Sequence, residues 1–293
     1  MNPQDQIVIS ASRRSDIPAF YMDWFMAGID RGHFDVVNPY NRRVSQVPAH
    51  VDRVHTIVFW SKNFGPFLSG GYGQMLTGAG YHLFFNFTVN SPSPLLEPNL
   101  PSLQDRLGQM ADLCRCFGHQ SVTWRFDPIC FYQTQGSGVA NNLTGFIDIA
   151  EAVAACGVHR CITSFMDHYA KIARRTAQIP GFRFLDPPLT EKADLLLNMA
   201  QTLARYGIDL LTCCEKTVME TLPAQSPIRP GACIDNRLLK DLFGGRLSLR
   251  RDSGQRVARG CGCRVSRDIG SYDAHPCYHN CLFCYANPVP PFE

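Results

Sequence analysis

The chain has 293 residues, 45% of them hydrophobic, and its 28 Lys and Arg against 25 Asp and Glu give a formal net charge of +3. This composition is that of a globular protein, with enough chain for one large domain. The sequence lacks the runs of Lys and Arg that a dedicated nucleic-acid binder carries, and its near balance of charge allows a local basic groove at most. We therefore expect no nucleic-acid partner. No apolar run approaches the roughly 20 residues that cross a bilayer, and the amino terminus lacks the layout of a signal peptide, which predicts a cytoplasmic protein without a membrane partner.

Short apolar runs recur along the first two thirds of the chain. Their continuous rather than alternating pattern predicts six buried parallel strands: Ile7–Ser10, Thr56–Trp60, Tyr81–Val89, Ser121–Phe126, Arg160–Phe165 and Ile208–Cys213. Helical patterns that stop at a glycine predict four helices: Phe20–Arg31, Ser102–Phe117, Leu143–Cys156 and Leu189–Tyr206. Strand followed by helix, repeated, predicts an α/β fold over residues 1–225, a complete or partial (β/α) TIM-like barrel, with an open doubly wound sheet as the alternative.

The pattern changes at residue 226. From 226 to 293 proline, glycine, cysteine and charged residues dominate, and only Asn236–Phe243 has a helical pattern. A segment with so little apolar periodicity needs another source of order, which metal ligation would supply. We therefore expect an irregular cysteine-rich segment that packs on the barrel mouth within the same domain.

Polar and charged residues follow the predicted strands at the point where each strand ends. The carboxyl ends of parallel strands converge on one face, which in barrels carries the active site. The residues expected to bind a cofactor or substrate there are Arg13, Arg14, Lys62, Asn63, Arg125, Asp127 and Glu215. The cations suit a ligand carboxylate, and the two carboxylates suit ribose hydroxyls or a ligand amine. Mutual ion pairing, as between Arg125 and Asp127 or Arg13 and Asp16, is the alternative.

The 13 cysteines are the most unusual feature of the composition. An odd number of cysteines without an export signal argues against a disulfide framework and for reduced thiols that can bind metal. Cys277, Cys281 and Cys284 form a C-x3-C-x2-C motif, and three thiolates on one short loop can hold three irons of a [4Fe–4S] cluster. The fourth iron would be open to a small molecule. The alternative is zinc, with His275 or His279 completing a Cys3His tetrahedron.

A second set of cysteines is expected to hold a second metal centre. Its four predicted ligands are Cys213, Cys233, Cys261 and Cys263, with Cys214 as a competitor for the role of Cys213. Four thiolates from three segments could close a second iron–sulfur cluster or a zinc site. The remaining cysteines fall in helical or strand patterns and are expected to be buried small hydrophobes: Cys114, Cys116, Cys130, Cys156 and Cys161.

The terminal motif, with Phe283 directly before its last cysteine, matches that of the radical S-adenosylmethionine (SAM) superfamily. The whole chain resembles a bacterial family, the domain of unknown function numbered 1848. The residues that carry this resemblance are Ser10–Tyr21, Val58–Asn63, Trp124–Ile129, Ser164–Asp167, Gly231–Asp235, Gln255–Arg256, Cys261–Cys263 and Cys284–Asn287.

The resemblance implies both a fold and a chemistry. Radical SAM enzymes resemble one another in a partial (β/α) barrel with the cluster loop after the first strand, whereas here the motif lies at the far end of the chain, as in a permuted version. The implied cofactors are a [4Fe–4S] cluster and SAM, whose reductive cleavage gives a 5′-deoxyadenosyl radical that abstracts hydrogen from a substrate. The implied partners are an unknown substrate and an electron donor such as a flavodoxin or ferredoxin. The alternatives are a non-enzymatic zinc or electron-transfer protein and a cluster enzyme that acts as a Lewis acid.

Overall fold

The computed structural model describes residues 6–38, 41–136 and 138–286, so Asn287 and the rest of the terminus lie outside the described residues. The strands are β1 Ile7–Ala11, β2 His33–Val37, β3 Val44–Pro48, β4 Val54–Ser61, β5 His82–Thr88, β6 Val122–Ile129, β7 Phe131–Gln133, β8 Val139–Asn141, β9 Arg160–Phe165, β10 Arg183–Leu185, β11 Asp209–Thr212, β12 Arg229–Pro230 and β13 Arg267–Asp268. The α-helices are α1 Ile17–Phe20, α2 Met22–Arg31, α3 Gly65–Ser69, α4 Tyr72–Gly78, α5 Leu103–Phe117, α6 Phe146–Ala155, α7 Ala170–Thr176, α8 Leu189–Ala204, α9 Lys216–Met219 and α10 Asn236–Phe243.

Eight parallel strands form the main sheet, in the order β12-β11-β9-β6-β5-β4-β1-β13. From β1 to β12 the spatial order follows the chain without the reversal that defines a doubly wound sheet. The two edge strands, β12 and β13, do not pair with each other within the described ranges. The fold is therefore α/β with a large parallel sheet, and all six predicted strands belong to it.

Two smaller antiparallel sheets were not predicted. β2 pairs with β3, and β7 lies between β8 and β10. The strands β7, β8 and β10 have three residues each, which is too short for a period of two to emerge from the sequence.

The predicted helices are present with shorter bounds. Ser102 begins α5 by accepting a hydrogen bond from the Asp105 amide, and Gly118 ends it. The predicted helix from Phe20 is divided, because Asp16 caps the short helix α1 and the chain bends at Tyr21 before α2 starts. No helix in the described ranges is both long and apolar enough to cross a membrane.

One face of the main sheet packs against helices and forms the larger core. Side chains on this face include Ile9, Phe59, Phe85 and Trp124, all without solvent exposure. Burial of apolar surface of this extent is the main stabilising contribution to such a fold.

The other face of the sheet packs against the segment after residue 226. Val8, Val58, Phe84 and Ile162 point from the strands to this face. They form a second apolar cluster with helix α10 and five buried cysteines, Cys213, Cys214, Cys233, Cys261 and Cys263. The segment also supplies both edge strands, β12 and β13, so its backbone is part of the sheet.

Candidate metal and cofactor site

Charged side chains at the carboxyl ends of the central strands contact one another. Arg125, on β6, donates through Nη1 to the Cys233 sulfur at 2.7 Å and through Nη2 to Asp127. Asp127 also accepts from the Ser164 hydroxyl at the end of β9. Burial alone would raise the pKa of Asp127, but Arg125, Ser164 and Lys62 act in the opposite direction and hold it below its usual value. Asp127 is therefore a carboxylate that accepts hydrogen bonds.

Trp60 lies beside two of the predicted cations. The Arg125 guanidinium is 4.8 Å and the Arg13 guanidinium 5.5 Å from the centre of its ring, which are cation–π distances. The Trp60 Nε1–H donates to Ser10 at 3.1 Å. The sequence analysis did not predict Trp60 as a site residue, because an aromatic residue in an apolar strand is typical of the hydrophobic core.

Lys62 connects this polar group to the terminal cysteine motif. Its ammonium pairs with Glu97 at 2.5 Å and lies 5.2 Å from the Phe283 ring, and Cys281 Sγ lies 3.9 Å from the same Glu97 oxygen. Glu97 is only 6% exposed. Burial by itself would lower the pKa of Lys62, yet Glu97, Cys281 and Asp127 give a net rise, so the lysine stays charged. Glu97 was not predicted, because it lies in a loop far from any strand end.

Asp16 fixes the position of the terminal motif. One carboxylate oxygen accepts from the Ser61 hydroxyl at 2.7 Å and the Ala19 amide at 3.1 Å. The other accepts from the Lys62 amide at 2.9 Å and from His279 Nε2 at 2.8 Å. Because His279 lies between the first two cysteines of the motif, Asp16 joins the loop after β1 to the far end of the chain.

Neighbouring contacts reinforce this junction. The Tyr21 hydroxyl donates to the Pro276 carbonyl at 2.6 Å, and the Phe20 ring packs edge-on against Tyr278 at 5.4 Å. Asn280 takes a left-handed backbone conformation with φ of 59°, which turns the chain back between the cysteines. The motif therefore lies beside the carboxyl end of β1 although it comes last in the sequence.

The zinc alternative required a histidine as fourth ligand. His279 Nε2 is bonded to Asp16 at 2.8 Å, and its Nδ1 lies 3.5 Å from the Asn99 carbonyl oxygen. His275 Nδ1 accepts from the Ser271 amide at 3.1 Å, and its ring lies against Trp24 at 4.2 Å.

The three thiols of the motif interact with one another and with Lys62. Burial raises the pKa of Cys277 to about 12, and Asp16 and Cys284 add to that rise while Lys62 opposes it. Burial likewise raises the pKa of Cys281, with Glu97, Cys284 and Cys277 adding to the rise. As neutral thiols these sulfurs are poor nucleophiles, whereas a bound metal ion would deprotonate them.

The second set of cysteines forms a compact group, which we call the inner thiol group: Cys213, Cys214, Cys233, Cys261 and Cys263. Cys213 Sγ lies 3.7 Å from Cys214 Sγ and 3.6 Å from Cys233 Sγ. Cys263 interacts electrostatically with Cys233 and Cys261, and Cys261 in turn interacts with Cys213, so the four predicted sulfurs form a closed ring of neighbours. Cys214 contacts two members of that ring, Cys213 and Cys261.

The members of the inner thiol group shift one another's pKa values. The neighbouring Cys213, Cys214 and Cys263 lower the pKa of Cys261, whereas the interaction with Cys213 raises the pKa of Cys233 to about 12. Gly262 permits the close spacing, because a Cβ there would lie 2.5 Å from the Gly231 carbonyl oxygen. Within the described ranges, no group of three or more His, Cys, Asp or Glu side chains already has the arrangement of a metal site.

Three of the predicted site residues make contacts outside this cluster. Asn63 accepts from the Gly65 amide and from Gln109 on α5, which fixes the turn after β4. Arg14 pairs with Asp268 at 3.2 Å. Glu215 accepts from the Phe165 amide at 2.9 Å, and burial raises its pKa to about 7.

The predicted ion pairs and the remaining cysteines have mixed outcomes. Arg125 pairs with Asp127 as predicted. Arg13 does not pair with Asp16; its backbone amide donates to Asp268 at 2.9 Å.

Cys130 and Cys161 are fully buried as expected. The expectation of burial was wrong for Cys116, which is exposed on α5; an amphipathic helix leaves one face in water.

Comparison with known proteins gives a family for this arrangement. The model of the family described as domain of unknown function (DUF1848) matches residues 8–286. The chain belongs to the DUF1848 family. No curated protein matches it. The match spans both thiol groups and the polar cluster between them. It also spans the strands of the main sheet, of which only Ile7, the first residue of β1, lies outside it. These features are therefore parts of one DUF1848 unit.

Proposed function

We propose that this DUF1848 protein is a radical SAM-type enzyme, built on a partial (β/α) barrel, that cleaves SAM reductively at a [4Fe–4S] cluster held by Cys277, Cys281 and Cys284. The observation that carries the proposal is the position of the motif. Asp16 binds His279 and thereby holds the three thiols beside the carboxyl end of β1, next to Lys62 and Glu97. In the radical SAM enzymes that the motif resembles, the cluster loop likewise follows the first strand. In this chain the loop reaches the same place from the other end of the sequence.

The donor set fits such a cluster. Three thiols on one short loop, of which Cys281 is buried and Cys277 and Cys284 are half-buried, leave one iron of a cubane without a protein ligand. The nearest histidine in the loop, His279, has its Nε2 bonded to Asp16. When bound, the reduced cluster supplies one electron to the sulfonium of SAM, which gives methionine and a 5′-deoxyadenosyl radical.

The chain's own residues bind and orient the cofactor and substrate. We assign Glu97 and Lys62, which flank the thiols, to the amine and carboxylate of the methionyl group. Asp127, held as a carboxylate by Arg125 and Ser164, suits ribose hydroxyls. Trp60, with Arg125 and Arg13 over its ring, offers an apolar wall between the two thiol groups. Such side chains exclude water from the reacting atoms.

We propose that the inner thiol group holds a second metal centre, with Cys213, Cys233, Cys261 and Cys263 as ligands of a second iron–sulfur cluster. The closed ring of contacts among these four sulfurs supports that ligand set, and Cys214 is its neighbour. Arg125 donates to Cys233, which would tune such a centre. A cytoplasmic location and an electron-carrier partner are parts of the proposal.

The test compares three anaerobically reconstituted proteins. These are the unchanged chain, the variant with Cys277, Cys281 and Cys284 changed to Ala, and a control with Cys116→Ala, which alters an exposed cysteine away from both groups. We expect dithionite-driven formation of 5′-deoxyadenosine in the unchanged chain and the control, and none in the triple variant. Iron content should fall in the triple variant by one cluster and not to zero.

Other outcomes assign other functions. Turnover of a substrate without reductant would indicate Lewis-acid chemistry at the same cluster. A protein that contains zinc and no iron would indicate a non-enzymatic metal protein. So would a cluster whose electron paramagnetic resonance spectrum does not change when SAM is added. Cleavage of SAM that persists in the triple variant would contradict the ligand assignment.

A further inference from the structure

The net charge of the chain is unevenly distributed. Residues 229–268 carry ten Lys and Arg against four Asp and Glu, a net charge of +6, which leaves −3 for the remainder of the chain. Nine of these ten cations are arginines. The whole-chain value of +3 thus conceals a strongly basic segment.

Six of these cations share one part of the surface. They are exposed and form no ion pair within the described ranges, and we call them the basic surface: Arg237, Lys240, Arg246, Arg250, Arg251 and Arg267. Hydrogen bonds hold their segments together. Asn236, which begins α10, donates to the Ser248 carbonyl at 2.8 Å and to the Val265 carbonyl at 3.1 Å. The Val265 amide donates to the Arg250 carbonyl at 3.0 Å.

The basic surface lies directly over the inner thiol group. The Asp252 amide donates to the Cys263 carbonyl at 3.0 Å, and residue 264, which follows that cysteine, bridges to Arg251. The same short stretch of backbone therefore presents arginines to solvent and a thiol to the interior. Leu249, which precedes Arg250, is 41% exposed and adds an apolar side chain to the basic surface.

We infer that the basic surface is the docking site of an acidic electron-carrier protein, which delivers electrons through the inner thiol group. The inference rests on the proposed function, because it needs a redox centre at those thiols. In each transfer the carrier would lose one electron to a centre held by the inner thiol group, from which one electron would pass to a cluster held by Cys277, Cys281 and Cys284. No proton or bond changes in this step.

A carrier protein fits the surface better than nucleic acid does. Electron-transfer partners meet over small, charge-complementary surfaces that include apolar side chains, as Leu249 and the arginines provide. A phosphate backbone needs cations but gains nothing from an exposed leucine.

The test uses a reduced bacterial flavodoxin of net negative charge as the probe and compares two charge-reversal variants. Arg250→Glu with Arg251→Glu changes the basic surface, whereas Arg31→Glu with Arg205→Glu changes two exposed arginines outside it by the same total charge. For the first variant we expect the Kd of flavodoxin, measured by titration calorimetry with the metal-free, reduced protein, to rise about tenfold or more at low salt. We expect kcat/KM for flavodoxin to fall by a similar factor in the loaded enzyme and to depend less on salt. The rate of SAM cleavage with dithionite, which needs no docking, should stay unchanged in both variants.

The outcomes separate the two proposals. No SAM cleavage with dithionite in the unchanged chain would overturn the proposed function, and this inference with it. Normal dithionite activity with equal flavodoxin kinetics in both variants would overturn only the docking site. Loss of salt-dependent duplex DNA binding in the first variant, with flavodoxin kinetics intact, would assign the surface to nucleic acid and also overturn the inference.

Discussion

Asp16 is the side chain through which the beginning and the end of the chain meet. It caps α1, accepts from the residues that end β4, and binds His279 in the terminal motif, while being only 6% exposed. A buried carboxylate with four donors is stabilised by charge-assisted hydrogen bonds, each stronger than a neutral one. The same contacts fix both the local fold and the place of the thiols.

Asp16→Asn removes the charge and at least one acceptor from this junction. We expect the free energy of unfolding to fall by about 2–4 kcal/mol, because buried donors lose a charged partner. Urea denaturation of the metal-free, reduced protein measures this change. Asp30→Asn, on the exposed face of α2, is the control and should leave the midpoint unchanged. Equal midpoints for the two variants would contradict the anchoring role of Asp16.

His55 predicts a pH dependence that does not involve either thiol group. Its ring is 2% exposed and bonds Thr56 through Nδ1 at 2.7 Å and the Gly244 carbonyl through Nε2 at 2.8 Å. Burial lowers its pKa below the ordinary value. The unfolded chain therefore binds a proton first as the pH falls, so the stabilising contribution of the neutral ring is present above the unfolded pKa and is lost at lower pH.

We expect the free energy of unfolding of the unchanged chain to fall more steeply between pH 7 and pH 5 than that of His55→Gln. Parallel urea titrations across this range give the comparison. His50→Gln, at an exposed histidine, should follow the unchanged chain. Identical slopes for the unchanged chain and His55→Gln would show that the ring is not held neutral.

Among the elements, the segment around Gly262 connects the inner thiol group to the sheet. Gly262 passes so close to the loop after β12 that a Cβ would meet the Gly231 carbonyl oxygen at 2.5 Å. That contact brings Cys261 and Cys263 to Cys233, which precedes α10. The spacing of the thiols thus depends on backbone packing between two segments, not on either segment alone.

Gly262→Ala should force these two segments apart. We expect a loss of about 1–3 kcal/mol in the free energy of unfolding, the usual cost of overpacking, together with a lower metal content of the inner centre. Gly254→Ala is the matched control, since a Cβ there would meet only the Asp252 side chain at 3.3 Å. Metal analysis and urea denaturation of both variants test the prediction. Full metal occupancy in Gly262→Ala would argue against the close approach.

In the molecule as a whole, regular structure and thiols are distributed unequally. The chain up to residue 225 supplies six strands of the main sheet and every described α-helix except α10. Residues 226–286 contribute α10 and two edge strands of two residues, yet they carry six of the eight cysteines of the two thiol groups. A segment with so few backbone hydrogen bonds depends on its metal ligands for order.

Metal removal should therefore loosen one part of the molecule selectively. We expect chelation under anaerobic, reducing conditions to speed amide hydrogen exchange across residues 226–286, apart from α10, and to leave β4, β5 and β6 protected. Hydrogen-exchange mass spectrometry of loaded and metal-free protein measures this difference. A uniform change across the chain, or none, would contradict a structural contribution from the metal.

Local periodicity was sufficient to predict six strands of the main sheet and the longer helices of this protein. Buried parallel strands read as continuous apolar runs, and glycine stops mark helix ends, so the strand Arg160–Phe165 and the helix Asn236–Phe243 have the predicted bounds. Cysteine spacing likewise identified the terminal motif, because Cys277, Cys281 and Cys284 lie within a few residues of one another. Those signals are local in the chain and need no tertiary information.

Only the tertiary structure brought distant segments together. Glu97, Asp16 and Trp60 join the site through contacts with residues that lie far away in sequence, and no local pattern distinguishes them from loop or core residues. The placement of the last motif beside the first strand, and the six unpaired cations over Cys263, follow in the same way from packing between segments. Sequence periodicity reports which face of an element is apolar, whereas the choice of its neighbour depends on the packing of the whole chain.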